Sequence, residues 1–340
     1  MTIIEPREHF FPTIVGHDLQ KQLIRKMWGI GQFPQTLLFT GSPKIGKRSL
    51  AYALSKMIVC DENKAGTSMC GCRSCSLIAR GIHPDIFTVE PRGATNTIQV
   101  DQLREIQDIV NSAPIEARRK IIIFVDADCM NPSAANSALK LLEEPPSYVL
   151  LILLATRPHQ MLPTVRSRCM KIALNPATEQ EIEKWLREKL DISDVTARLA
   201  ATFSAGIPGL ALEIARCNYL GRRDLILREL DFMLNNGFPA LFSVADELSK
   251  RFEQREIIEM LLSWIRDILV AKYETNPAHL IINKDALDDI LRLREQYAEY
   301  NLYRVLHELL TISPLTQRIV NKRLLVFVLF LRLGKLLKQG

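Results

Sequence analysis

The segment Gly41-Ser42-Pro43-Lys44-Ile45-Gly46-Lys47-Arg48 has the glycine and lysine spacing of a phosphate-binding loop. Glycines let backbone amides wrap a phosphate, and the lysine reaches its outer oxygens. One part of that chemistry is missing. The residue after the lysine is ordinarily Ser or Thr, whose hydroxyl coordinates magnesium, and here it is Arg48. Ser49 lies about 100° further round a helix and is a poor substitute. Lys44 stands where such loops commonly carry another glycine. The acidic half of the site shows the same loss. The run Ile121-Ile122-Ile123-Phe124-Val125 ends in Asp126-Ala127-Asp128. Asp126 occupies the metal-binding position, but Ala127 replaces the glutamate that would orient an attacking water. Gly41, Gly46 and Lys47 remain as nucleotide-binding candidates, with weak ATP binding or none. No intrinsic hydrolysis is expected.

Cys60, Cys70, Cys72 and Cys75 form a second cluster, with four of the seven cysteines in one short stretch. Four thiolates suffice for a closed tetrahedral zinc site, and in a cytosolic chain such clustering favours metal over disulfides. The readings left open are structural zinc, reduced half-buried thiols of a degenerate module, and redox chemistry. His83 reads either as a spare ligand or as a side chain packed under the next strand.

These residues need elements to position them. Short apolar runs at Thr36–Thr40, Ile86–Glu90, Ile121–Val125, Val149–Ala155 and Met170–Leu174 read as strands. Amphipathic stretches at Ser49–Val59, Asp101–Asn111 and Ser133–Glu144 alternate with them as helices, the pattern of a parallel sheet covered on both faces. Asn131 fits the N-cap of the third helix, with Pro132 at its first position, and Pro145-Pro146 closes it. Beyond Pro176 the strands vanish. Thr178-Glu179-Gln180-Glu181 reads as a capping box opening a helix, and two more short helices fit Asp194–Ser204 and Pro208–Cys217. From about Leu220 the pattern is helical, with breaks near Asn235-Asn236-Gly237, Asn276-Pro277 and Ser313-Pro314. The stretch Val320–Leu337 is apolar on nearly every side, so it must be buried in its own domain or against a partner.

The chain has 340 residues, long for one domain, with 47% hydrophobic and 24% charged residues, as in soluble globular proteins. Its longest apolar runs fall far short of the roughly 20 residues that span a bilayer. The start, MTIIEPREHFF, lacks an apolar stretch after a basic one, so the chain reads as cytoplasmic. A formal charge of +6, spread along the chain, allows contact with nucleic acid without demanding it. Lys21, Arg25 and Lys26 fit a helix face, read as solvated ahead of touching DNA backbone.

Several of these segments, in this order, resemble the clamp-loader branch of AAA+ proteins. Thr13-Ile14-Val15-Gly16-His17 is similar to the branch's amino-terminal box near adenine. Asn136-Ser137-Ala138-Leu139-Lys140-Leu141-Leu142-Glu143-Glu144-Pro145-Pro146 resembles its NALLKxLEEPP helix, and Ser167-Arg168-Cys169 its SRC motif. The decayed loop, Gly81-Ile82-His83-Pro84-Asp85, and Gly209 in place of a nucleotide-sensing arginine resemble the non-hydrolysing type of bacterial DNA polymerase III loader subunit. They depart from the hydrolysing gamma/tau type. The resemblance covers Thr13 through the small helical region; the last third matches in length and helicity only.

The resemblance implies an α/β RecA-like AAA+ domain over 1–174 with a zinc module at 60–75, a small helical lid over 175–219 and an all-α collar over 220–340. It implies an arginine finger, Arg168, acting on a neighbour's ATP site, against the alternative that Arg168 pairs with a local carboxylate. Arg166 reads as a supporting or solvated charge, and Glu143-Glu144 as packing and interface architecture. The implied partners are the gamma/tau and delta subunits, and through the complex the sliding clamp (beta) and primer–template DNA. Family members usually space the last cysteines as Cys-x2-Cys-x2-Cys, so the Cys-x-Cys step between Cys70 and Cys72 implies a different knuckle turn. The competing functions are an active gamma/tau-like ATPase and a zinc-dependent DNA-binding module.

Overall fold

The computed structural model describes residues 11, 14–30, 33–60, 70–93, 96–313 and 321–337. Thr13 of the amino-terminal box, the first ten residues, Pro314 and Val320 lie outside them. In chain order the elements are α1 (Asp18–Gly29), β1 (Thr36–Thr40), α2 (Lys47–Val59), α3 (Arg73–Ala79), β2 (Ile86–Val89), α4 (Val100–Val110), β3 (Lys120–Phe124), α5 (Pro132–Glu143), β4 (Val149–Ala155), α6 (Pro163–Arg166), β5 (Met170–Ala173) and α7 (Glu179–Lys189). The rest is helical: α8 (Asp194–Phe203), α9 (Pro208–Arg216), α10 (Tyr219–Asn236), α11 (Phe238–Arg251), α12 (Gln254–Tyr273), α13 (Leu287–Gln296), α14 (Glu299–Ile312) and α15 (Lys322–Leu337). The chain divides into two compact units. One is Met1–Trp185 with Ser204–Leu212, the other Leu186–Phe203 with Glu213–Gly340. Among the described residues no helix is long and apolar enough to cross a membrane.

The first unit is a five-stranded parallel sheet of order β2-β3-β4-β1-β5. Strand periodicity sorts its apolar runs onto two faces. Leu37 and Phe39 of β1 and Leu150, Ile152 and Leu154 of β4 join one core with Leu50, Leu54 and Ile24. Leu38 of β1 and Val149, Leu151 and Leu153 of β4 join the other, with Leu103, Ile106, Leu141 and Leu142. A strand covered on both faces must be apolar at every position, which is why β1, β3 and β4 read as unbroken blocks. Asn131 caps α5 as expected, its Oδ1 accepting from the Ala134 amide at 2.7 Å. The Thr178–Glu181 capping box also forms, Thr178 N–H donating to Glu181 at 2.7 Å.

Asp85 is the buried charge that organises this unit. Fully enclosed, it accepts the amides of Ile115, Glu116 and Ala117 at 2.6, 2.7 and 2.7 Å. Burial alone raises its pKa, but the amides outweigh burial and hold the carboxyl below the ordinary value. His83 completes the turn: its Nδ1 accepts from the Asp85 amide at 3.1 Å, and the ring is buried. The His-Pro-Asp sequence is therefore a bracket for the loop entering β3. A depressed carboxyl pKa stabilises the fold above the unfolded value, near 3.9, and loses that contribution as pH falls through the folded pKa. Asp85→Asn should therefore cost about 2–4 kcal/mol in urea unfolding at pH 7, because an amide nitrogen then faces the amide donors. The gap to wild type should shrink as the pH drops below about 4. A gap that stays constant down to pH 3 would show that Asp85 does not carry this charge.

The second unit is all-helical and packs around α12 and α15. Leu325, Val326, Leu329, Phe330 and Leu333 of α15 are buried against α10, α11, α12 and α14 side chains. The all-round apolar helix is thus buried in its own unit. Arg223 is the buried cation here, donating to Asp285 at 2.6 and 3.0 Å, to Asp224 at 2.7 Å and to Asn283 at 3.1 Å. Asn283 in turn reaches the buried Asp267 at 2.7 Å. The network ties α10 and α12 to the loop after α12, where the break at Asn276-Pro277 was expected. Further breaks, between α11 and α12 and between α13 and α14, escaped sequence reading because neither contains a Gly or Pro.

Candidate functional site

Three exits converge at the carboxyl end of the sheet, where open α/β sheets place ligands. They are Gly41 after β1, Asp126 beyond β3 and Thr156 after β4. The glycine-and-lysine loop runs from β1 into α2. Lys44 adopts φ 61°, a left-handed conformation in which glycine is the usual occupant, which explains the glycine of commoner loops there. Lys47 is buried, and its ammonium donates to the carbonyls of Gly41 at 2.8 Å and Ser42 at 2.9 Å and to Thr156 Oγ1 at 3.0 Å. These contacts use all three of its donors. Burial lowers its pKa, opposed by Asp126 and Asp128. Thr156 was missed by sequence reading. Its signal was available: it is the first polar residue after the apolar run of β4, as Asp126 is after that of β3.

Arg48, in the magnesium-hydroxyl position, turns away to Glu90 at 2.5 Å and lies against the Tyr52 ring. Asp128 pins the exit of β4, accepting the amides of Thr156 and Arg157 at 3.2 and 3.0 Å. Ala127 is buried. His17, in the adenine-side box, is buried with Nε2 3.0 Å from the Ile45 carbonyl oxygen, and burial lowers its pKa. Gly209, near the start of α9, donates its amide to the Lys44 carbonyl at 3.0 Å. A Cβ added at Gly209 would stand 2.8 Å from both the Cβ and the carbonyl oxygen of Lys44. Lys44, in the position where glycine is usual, and Gly209 on α9 are thus two sides of one backbone contact.

The helix face expected to be solvated is not so throughout. Lys21 is buried, its ammonium on Asp18 at 3.0 Å, and Arg25 lies over the Phe11 ring. Only Lys26 is exposed. The reason is local: α1 covers one face of the sheet, and Lys21 sits a turn before the fully buried Ile24 and Met27 side.

The four cysteines come together. Their sulfur atoms all lie within 4.8 Å of one another, with Cys60 3.6 Å from Cys70 and 3.9 Å from Cys72. A tetrahedral ion with bonds near 2.3 Å sets its sulfurs about 3.8 Å apart, so the donor set fits a metal ion. Cys60 ends α2, and Cys72 caps α3, its sulfur accepting the Cys75 amide at 3.4 Å. Burial, with the neighbouring sulfurs, pushes the Cys75 thiol up, since a bare thiolate there would face only other thiols. His83 lies outside this group, as the packed reading required. Arg73 of α3 donates to Glu116 at 2.7 Å, linking the cluster to the loop that Asp85 holds.

Arg168 is at the opposite end of the sheet. It precedes β5, on the turn after α6. Met170 pairs with Leu37, the second residue of β1, and the four residue steps from Leu37 to Gly41 put the backbone entering β5 about 13 Å along the sheet from the loop. Its Nη1 donates to the Thr164 carbonyl at 2.8 Å, its Nη2 pairs with Glu143, and a third of the side chain is exposed. The local carboxylate of the alternative reading is therefore Glu143. Glu143 and Glu144 are both exposed, so neither is a packing residue. Arg166 is exposed as well.

Comparison with known proteins agrees with this geometry. A family profile described as "DNA polymerase III, delta subunit" matches residues 16–178, and one described as "DNA polymerase III, delta subunit, C terminal" matches 218–335. The chain is 29% identical to DNA polymerase III subunit delta' of Escherichia coli (strain K12) over 95% of both chains. It is 36% identical to subunit delta' of Pseudomonas aeruginosa over 50% of this chain and 52% of that one. It is also 26% identical to DNA polymerase III subunit tau of Bacillus subtilis (strain 168), over 88% of this chain and 57% of that protein. With its five-stranded parallel sheet, cysteine insertion and helical second unit, the chain belongs to the delta-prime family of DNA polymerase III clamp-loader subunits.

Proposed function

We propose that this subunit hydrolyses no ATP itself, braces a ring of loader subunits, and lends Arg168 to the ATP site of the neighbour. The ring, containing gamma/tau and delta, then opens the sliding clamp and sets it on primer–template DNA. The observation that carries this reading is the placement of Arg168: exposed at the amino-terminal end of the sheet, out of reach of its own loop. An arginine there has no phosphate to serve within its own chain. The loop supports the same view, since Lys47 is spent on the chain's own carbonyls and Arg48 on Glu90. In this proposal residues 1–174, 175–219 and 220–340 act as nucleotide-fold, lid and collar. Exposed Phe238 and Phe242, packed against the half-buried Phe327 on the second unit, support a collar that binds partners. The ion suited to the four thiols is zinc, held as a structural ion.

The isolated chain should show no ATP turnover above background, and Lys47→Ala should leave that baseline unchanged. Turnover on the order of one per second, abolished by Lys47→Ala, would return the chain to the gamma/tau-like motors. Co-purification with the clamp and the remaining loader subunits, followed by a clamp-loading assay, tests the assembly itself.

A further inference from the structure

We propose that Glu143 is the resting partner of Arg168, a positioning residue that holds the guanidinium until a neighbour's phosphates displace it. This rests on the reading of Arg168 as a trans-acting arginine. In the free chain the guanidinium is held at two points, by the Glu143 carboxylate at Nη2 and the Thr164 carbonyl at Nη1. Two of its five N–H donors are engaged, leaving Nε–H and one hydrogen on each terminal nitrogen. Arg168 is thus oriented but not saturated.

Carboxylate and phosphate compete for the same fork, since each is an anion that accepts paired N–H donors. While Glu143 holds it, the charge presented to an approaching nucleotide is nearly cancelled. The pair forms for a local reason. Glu143 is the last residue of α5, followed at once by Glu144, and a helix's carboxyl end already carries partial negative charge. The Arg168 cation offsets this unfavourable placement. Yet the pair is weak, because Arg168 is 33% and Glu143 46% exposed, and water and salt screen such contacts. A phosphate in a water-poor subunit junction offers the stronger contact. Arg168 is therefore parked when the neighbouring site is empty and given up when it is filled.

The test uses the reconstituted loader complex carrying Glu143→Gln, Arg168→Ala or both. Glu143→Gln should lower the ATP concentration for half-maximal hydrolysis by about 1.5- to 5-fold at low salt, the range of exposed ion pairs. The difference should shrink as salt rises toward about 1 M. In the Arg168→Ala background, Glu143→Gln should change nothing. If Arg168→Ala slows hydrolysis but Glu143→Gln leaves half-saturation unchanged or raises it, the resting-partner role is overturned and the arginine role stands. If Arg168→Ala has no effect, both fall. Melting of the isolated Glu143→Gln chain provides the structural control. A drop of more than about 5 °C would mark Glu143 as a stability residue and overturn the proposal.

Discussion

Arg168→Ala should leave the subunit folded and assembled, and slow ATP hydrolysis at the neighbouring site by about 10³- to 10⁵-fold, the effect of an arginine supplied in trans. Assembly should survive because the residue contributes little to its own chain. Its contacts are one half-exposed ion pair and one bond to the Thr164 carbonyl, and exposed pairs contribute about 1 kcal/mol or less. Catalysis should not survive, because the effect acts on charge developing on a phosphoryl group in the neighbour. Steady-state hydrolysis by the complex should lose the whole share of that site, and clamp loading should fall with it. Arg168→Lys should fail nearly as badly, since a point charge does not reproduce a planar fork on phosphate oxygens. Arg166→Ala, two residues away and exposed, is the milder control. Wild-type hydrolysis and loading by a complex containing Arg168→Ala would make this arginine structural.

Chelation, or Cys75→Ser, should produce the largest loss of structure. The purified chain should carry one zinc. Binding of structural zinc contributes about 10–16 kcal/mol in isolated zinc-finger peptides, and that free energy is coupled to folding of the module. Without the ion, three buried sulfurs and one half-buried sulfur within 4.8 Å of one another are left with weak sulfur hydrogen bonds such as Cys60–Cys70 at 3.6 Å in place of metal bonds. The damage should spread along a traceable path. Arg73 of α3 holds Glu116, whose amide is one of the three on Asp85, so a loosened α3 loosens the loop into β3. Metal content should also fall in acid, because protons compete for the thiolates. Metal analysis that finds no zinc after anaerobic purification without chelator would leave the cluster as reduced thiols.

Much of this architecture was legible because single residues carried it. The unbroken apolar blocks of β1, β3 and β4 are what two covered faces require, and Asn131 with Pro132 marks a helix start by local bonding alone. What escaped depends on residues distant in sequence. Thr156 meets Lys47 across 109 positions, and nothing near either names the other. Lys120, just ahead of the apolar run of β3, carries no sequence signal of its own. It is buried, and its ammonium donates to the Ile109 carbonyl at 2.7 Å, closing the end of α4. Lys21 was misplaced because a helical wheel gives a residue's direction, not what lies there. The bond between Arg168 and Glu143 joins two motifs that had each been read separately.

The contact between Gly209 and Lys44 constrains which descendants of this sequence are reachable. An arginine restored at Gly209 alone would drive its Cβ to within 2.8 Å of the Lys44 backbone, so it would have to push the loop out of its present path. A glycine restored at Lys44 alone would relieve the φ of 61° yet return no sensing group. Neither single step moves toward an active nucleotide site, and the first is penalised immediately. Arg48 and Ala127 would still have to change as well. On the proposed non-hydrolysing reading, the way back to an active site requires several coordinated changes, on both sides of this contact.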